Sequence, residues 1–354
     1  MPLRDWVLDL FRRRPLTEEG AVRRRGQATH VIILDGTMST LVAGRETNAG
    51  QAFKLLLESG HHANLTVYYE AGIQWRDWTE TFGVVAGRGI NRQIERAYGV
   101  LCSRWHPGDR IILLGYSRGA FAVRSLAGVV DRMGLVRQEH ATARNIRQAY
   151  RYYTQGGQSP YARRFCALYC NKDARIAAIG AWDTVKSLGL RLPLLWRFEQ
   201  KRHSYHSDGL VDCVDAAFHA LAMDETREVF APELWRRPAE WSGHLEQVWF
   251  RGTHGDVGGQ IGTLSFARPL SNIPFLWMMA RLEDRGLTLP LGWQHRFPTD
   301  PNAPSVGNWQ GWGKLFLARR RRVIGRTSDE RLHESVTDIQ RTTRRRLVHR
   351  LGLG

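Results

Sequence analysis

The stretch over residues 110–128, RIILLGYSRGAFAVRSLAG, constrains this chain more than any other. A continuous apolar run, 111–114, leads into Gly115-Tyr116-Ser117-Arg118-Gly119, and a helical pattern follows without a gap. Strand, sharp turn, helix is the setting in which a G-x-S-x-G segment lifts a serine hydroxyl clear of a sheet. Such a turn forces Ser117 into a backbone region that L-residues avoid. Gly115 and Gly119 let the neighbouring backbones close in on it. The hydroxyl then stands at a helix N-terminus, where free N–H groups and the helix dipole favour developing negative charge.

The same rhythm recurs along the chain. Apolar runs at 31–34, 65–69, 175–181 and 247–250 read as strands, and 48–59, 90–105 and 273–285 read as helices, with Pro274 in the first turn of the last. A further helix is expected around 212–223, a loop over 72–89, helices outside the sheet over 138–170, and a basic, helical C-terminal part. Short buried strands alternating with helices imply an α/β fold with a mostly parallel sheet covered on both faces. The expected division is a basic N-terminal extension, 1–28, and one catalytic domain, 29–354. Insertions around 136–172, 186–245 and 286–330 are read as a cap or lid, with Trp293, Trp309 and Trp312 in the last.

In a parallel sheet, ligands bind beyond the carboxyl ends of the strands. Four motifs each follow an apolar strand: Asp35-Gly36-Thr37, Ser117, Asp183 and His254. A serine hydroxyl needs a base to take its proton, and imidazole suits neutral pH. The imidazole needs a carboxylate to fix its tautomer. The order serine, acid, histidine therefore selects Ser117, Asp183 and His254. The backbone N–H of Arg118, with that of Gly36 or Thr37, is the expected oxyanion hole, and Asp35 is expected to hold that turn in shape. His333 remains a rival base and Asp256 a rival acid; Asp256 is otherwise read as site support. No metal-ligand spacing is apparent, and no metal or cofactor is expected.

The 354 residues carry a formal net charge of +17, with arginine runs at 12–14, 23–25, 319–322 and 344–346. Such a surface attracts phosphate-bearing partners. No run sits in a nucleic-acid-binding motif, so no specific nucleic acid is expected, whereas an anionic membrane surface is. Leu3, Trp6, Val7, Leu10 and Phe11 follow helical spacing ahead of Arg12, which suits packing on the domain or a partner, or lying on a membrane. Cys102, Cys166, Cys170 and Cys213 are too few for a disulfide scaffold and read as buried thiols. No apolar stretch of membrane-spanning length and no signal-peptide pattern is apparent. The chain is therefore expected to be cytoplasmic when made, with any export by a signal-independent route.

Beside this reading stands a resemblance. LDGT (34–37), GYSRGAFAVRSLAG (115–128), GAWDTVKSLG (180–189) and VWFRGTHGDVGG (248–259) resemble an α/β-hydrolase domain family that includes type VI secretion phospholipase effectors. HALAMDETREVFAPELW (219–235) and LSNIPFLWM (270–278) agree with it. Leu34 stands where the first motif often has an aromatic residue, and Gly255 where a small polar residue is frequent. The resemblance implies an α/β-hydrolase core with helical insertions. It places the nucleophile in GYSRG, the acid in WDTV and the base in THGDVGG, which correspond to Ser117, Asp183 and His254. It implies a lipid ester, a phospholipid above all, as substrate, and a secretion apparatus or an immunity protein as partner. An esterase on small soluble or glycan esters, and an idle hydrolase fold that binds a partner, are the alternatives.

Overall fold

The computed structural model describes residues 16–18, 26–60, 64–72, 84–185, 209–308 and 318–336. The N-terminal apolar pattern at 3–11, most of the expected loop over 72–89, residues 186–208, Trp309, Trp312 and the arginines at 344–346 lie outside these.

Among the described residues, eight strands form one sheet in the order β1-β3-β2-β4-β7-β8-β9-β10, numbered along the chain. They are β1 (Leu16–Glu18), β2 (Thr29–Leu34), β3 (Leu65–Glu70), β4 (Arg110–Tyr116), β7 (Ile176–Trp182), β8 (Ala216–Ala222), β9 (His244–Phe250) and β10 (Glu330–Leu332). In this sheet, among the described residues, only β1, paired with β3, runs antiparallel; every other pair of the sheet is parallel. Two short strands, β5 (Leu135–Val136) and β6 (Cys170–Asn171), pair separately. The α-helices are α1 (Asn48–Gly60), α2 (Val84–Arg104), α3 (Arg118–Met133), α4 (Ala143–Thr154), α5 (Pro160–Tyr169), α6 (His254–Gly258) and α7 (Arg268–Glu283). A mostly parallel sheet flanked by helices is the α/β-hydrolase architecture.

Strand periodicity splits the core in two. Val31 and Ile33 of β2, with Ile112 and Leu114 of β4, pack with α1 and α7. Ile32, Leu34, Ile111 and Leu113 face the other way and pack with α2 and α3. Successive side chains of a strand point to opposite faces, so each apolar run feeds both layers. The segments α4 and α5 join the second layer through Ile146, Tyr150, Tyr153 and Phe165. All four cysteines are buried and free.

The structure departs from the sequence reading in several places, and α2 already begins at Val84, inside the expected loop over 72–89. The helix expected around 212–223 is strand β8, buried at every position. A buried run that is apolar apart from His219 carries no clear period to separate strand from helix, and pairing with β7 and β9 decides it. Helix α7 starts at Arg268, with Pro269 in its first turn, so Pro274 lies inside the helix. Of the C-terminal part expected to be helical, residues 318–336 are described; they are mainly irregular, supply β10 and end in a helical turn at 334–336, while 337–354 lie outside the described residues. Trp293 is buried in the core against Phe275 and Phe297 rather than placed in a lid.

Candidate active site

Ser117 sits between β4 and α3 with φ 57° and ψ −120°, a conformation disfavoured for any residue with a Cβ. The crowding around the turn holds it there. A Cβ on Gly119 would stand 2.0 Å from the Leu34 carbonyl oxygen, and one on Gly115 would stand 2.6 Å from the Ala120 nitrogen. Serine at a helix start usually caps the first turn with its hydroxyl. Ser117 makes no such bond, and its Oγ lies 2.9 Å from His254 Nε2.

His254 opens α6, just after β9. Its Nδ1 lies 2.6 Å from Asp183 Oδ2. With Nδ1 protonated, the ring donates to Asp183 and accepts from the Ser117 hydroxyl. Asp183 follows β7 in a positive-φ conformation, φ 42°, which aspartate tolerates better than most residues. Its backbone N–H donates to Ala220 O, and the Ser117 N–H donates to Trp182 O, so the sheet ladder continues into both turns. All three side chains are buried. Ser117, His254 and Asp183 thus form a continuous serine–histidine–carboxylate chain from three strand ends.

Asp183 has a further partner. Arg322 donates from Nη1 to Oδ1 at 2.5 Å and from Nη2 to Oδ2 at 2.9 Å, and the Ala222 N–H also donates to Oδ1. Burial pushes the Asp183 carboxyl up, but the Arg322 charge and the His254 contact outweigh it and hold it well below the usual carboxylate range.

The other residues singled out from sequence fall into place around this chain. Asp35 accepts from Gly36 N–H, Thr47 Oγ1 and Tyr69 Oη, so it braces the first strand-end turn. Burial raises its carboxyl to about 6 against those donors. The Gly36 N–H is therefore occupied, whereas those of Thr37 and Arg118 have no partner among the described residues. Burial lowers the Arg118 guanidinium to about 10. Asp256 is apart from the serine–histidine pair. Its Oδ2 accepts from Thr253 N–H, Thr253 Oγ1 and Ser305 Oγ, and its Oδ1 from Val306 N–H, which ties the His254 loop to a distant segment. His333 pairs with Ser335 and stacks on Phe250, and makes no contact with Ser117. His219 is a core histidine on β8, accepting from the Thr184 N–H, and burial lowers it to about 3.

Two neighbours escape a sequence reading. Glu225 accepts the His254 backbone N–H and pairs with Arg227. Burial raises its carboxyl, and the Arg227 contacts more than offset that. Phe230 stacks on the His254 ring. Both lie in DETREVF, directly after β8. Placing that strand correctly would have put Glu225 at the same sheet edge as Asp183 and His254. Among the described residues no group of three or more His, Cys, Asp or Glu side chains converges as a metal site.

Residues 28–281 match the family model described as the type VI secretion phospholipase effector Tle1-like catalytic domain. The chain belongs to this family. A curated relative, the uncharacterized protein YEL023C of Saccharomyces cerevisiae, is 25% identical over 224 residues, which cover 56% of this chain and 31% of that protein. A solved structure of an uncharacterized protein from Pseudomonas aeruginosa is 15% identical, covering 77% of this chain and 49% of the other, with a TM-score of 0.44. The Tle1 effector, solved bound to the VgrG spike of the type 6 secretion system, is 18% identical, covering 69% of this chain and 53% of the other, with a TM-score of 0.36. The chain thus spans about a third of the yeast relative and about half of each of these two solved proteins. Within the Tle1-like family it has the α/β-hydrolase architecture, with Ser117, His254 and Asp183 in the triad geometry typical of serine hydrolases. Among the described residues no helix is long and apolar enough to cross a membrane.

Proposed function

We propose that this chain is a serine esterase that cleaves carboxylic esters of lipids, phospholipids above all. The observation that carries the chemistry is the unbroken contact Ser117 Oγ–His254 Nε2 and His254 Nδ1–Asp183 Oδ2, at 2.9 and 2.6 Å. Ser117 Oγ attacks the acyl carbonyl carbon while its proton passes to His254 Nε2. The tetrahedral oxyanion forms beside the unpartnered N–H groups of Thr37 and Arg118. Asp183 stabilises the imidazolium throughout. Collapse breaks the bond to the alcohol oxygen, which takes the proton from His254. Water, deprotonated by the same imidazole, then releases the fatty acid and restores Ser117.

The lipid assignment rests on membership of a family described by its phospholipase effectors. The +17 charge suits anionic headgroups. Arg118, next to the nucleophile and without an acidic partner among the described residues, is a further cation for a phosphate. On the same family ground we propose a secretion-apparatus partner. The Tle1 effector of a solved structure is bound to a VgrG spike.

The test is to incubate wild type and Ser117→Ala with mixed bacterial phospholipids and with p-nitrophenyl butyrate, and to treat the wild type with a fluorophosphonate. Fatty acid release by wild type alone, with label on Ser117, supports the proposal. Turnover of the soluble ester alone overturns the lipid assignment, and an unlabelled, inactive wild type overturns the hydrolase.

A further inference from the structure

The segment 318–332 lies beyond the family-matched residues 28–281, yet it returns to the triad. It is anchored at both ends. The Glu228 N–H donates to Ala318 O at 3.0 Å and the Arg320 N–H to Thr226 O at 2.7 Å, while β10 adds to the sheet beside β9. Between these anchors the Arg322 side chain is only 4% exposed. Besides the two bonds to Asp183, Nη1 donates to Ala222 O at 2.7 Å and Nη2 to Phe230 O at 2.6 Å. One guanidinium therefore joins the triad acid, the end of β8 and the backbone of the residue that stacks on His254.

We propose that Arg322 is a positioning residue for the reaction, fixing the Asp183 carboxylate so that Oδ2 faces His254 Nδ1. This rests on the triad reading above. A carboxylate with a single imidazole partner can swivel about its last torsion. A planar fork that takes one oxygen with each nitrogen removes that freedom. The remaining two bonds hold the fork itself, so its geometry does not depend on Asp183. A surface arginine would be screened and loosely held; this one is neither. A lysine at this place supplies the charge but not the two-point grip.

The arrangement also keeps Asp183 ionised. The ionisable groups around the acid are His254 from α6, Tyr116 from β4, His219 from β8, Arg322 itself, and the Glu225–Arg227 pair beside His254. The attraction of Arg322 is the largest influence opposing the burial of Asp183. Without it, burial raises the carboxyl, and Asp183 takes up a proton at a pH where the intact site stays charged. A protonated acid no longer stabilises the imidazolium, so the acid limb of the pH–rate profile moves to higher pH.

The experiment uses the full chain with p-nitrophenyl butyrate, comparing wild type, Arg322→Gln and Arg322→Lys for kcat, KM, pH profile and thermal unfolding. The expected result for Arg322→Gln is a kcat lowered at least tenfold, KM within about twofold, and an acid limb raised by about one pH unit. Arg322→Lys is expected to keep the limb of the wild type but to lose part of kcat. If Arg322→Gln does not fold, Arg322→Lys decides alone: lowered kcat at unchanged KM supports the proposal, and wild-type kcat overturns it. Folded variants with wild-type kcat and pH profile overturn it, as does a chain that neither variant allows to fold, which makes Arg322 purely structural. A wild type that hydrolyses no ester is a failure of the triad reading instead, and is seen before any variant is made.

Discussion

The ring of Phe230 lies parallel to the imidazole of His254, with centroids 4.7 Å apart and planes 9° apart. Tyr116 makes a second ring contact with it, at 4.9 Å and 31°. The Arg227 guanidinium sits 4.3 Å from the Phe230 ring centroid, and its partner Glu225 accepts the His254 N–H. The imidazole is thus packed against two rings, in a clamp of aromatic contacts, while its nitrogens face Ser117 and Asp183. Misplacing a reacting group by about an ångström can cost about a hundredfold in rate.

Phe230→Ala removes one of these two ring contacts. The expected outcome is a kcat about tenfold lower at a KM within about twofold, because the ring orients the base without being part of the proton path. Phe230→Leu is expected to recover part of the loss. Steady-state kinetics on a soluble ester measure both, and an unchanged kcat in Phe230→Ala would remove the clamp from the account.

Asp183 and Asp256 are separated by their expected kinetics. Asp183→Asn is expected to lower kcat by about 10⁴-fold, since the amide imposes the wrong imidazole tautomer. It also strips a buried arginine of its counter-charge, so thermal unfolding is followed alongside. Asp256→Ala breaks four hydrogen bonds around the His254 loop. Its main expected effect is a stability loss of about 2 kcal/mol or more, with a much smaller fall in kcat. His333→Ala is expected to keep kcat within about twofold. A larger kinetic effect at Asp256 than at Asp183 would exchange their roles.

Two glycines should respond in opposite directions. Gly119→Ala drives a Cβ into the Leu34 carbonyl oxygen, only 2.0 Å away, and is expected to cost about 3 kcal/mol or more in urea unfolding. Gly99 lies inside α2, and a Cβ there meets Ile146 at an ordinary 3.6 Å. Gly99→Ala is expected to stabilise by about 0.5–1 kcal/mol, through helix propensity and the lower entropy of the unfolded chain. Equal effects at the two positions would contradict the close approach at the elbow.

Asp35 carries a pH signature. Burial raises its carboxyl from 3.8 to about 6. Between those values the folded chain holds a proton that the unfolded chain has lost, so stability falls as pH rises through the window. Against Asp35→Asn, which does not titrate, the wild type is expected to lose up to about 3 kcal/mol of relative stability from pH 4 to 6, and to level off above that. Denaturant unfolding of both proteins across this range measures it. A difference that stays flat or grows would show that the donors around Asp35 outweigh its burial.

The sequence made some of this legible and hid the rest for identifiable reasons. Runs such as Val31–Leu34 and Ile111–Leu114 read as strands because they are short, rich in β-branched residues and followed by glycine-containing turns. Their ends then point to Ser117, Asp183 and His254, which the fold does bring together. Ala216–Ala222 has two readings. Its alanines favour helix locally, and pairing between β7 and β9 overrides them. That error hid Glu225 and Phe230 in the turn that follows. Arg322 was hidden more deeply. It is one of four consecutive arginines, and a charge run gives no local sign that one member is buried against a carboxylate while its neighbours are not. Only the return of 318–332 along the sheet distinguishes it.

That return sets where the working unit ends. A clone cut at residue 281, the limit of the family match, would keep the serine, the imidazole and the acid, and would discard β10 together with the cation seated on Asp183. Silence from such a fragment would report an amputated counter-ion rather than a sequence lacking hydrolytic chemistry.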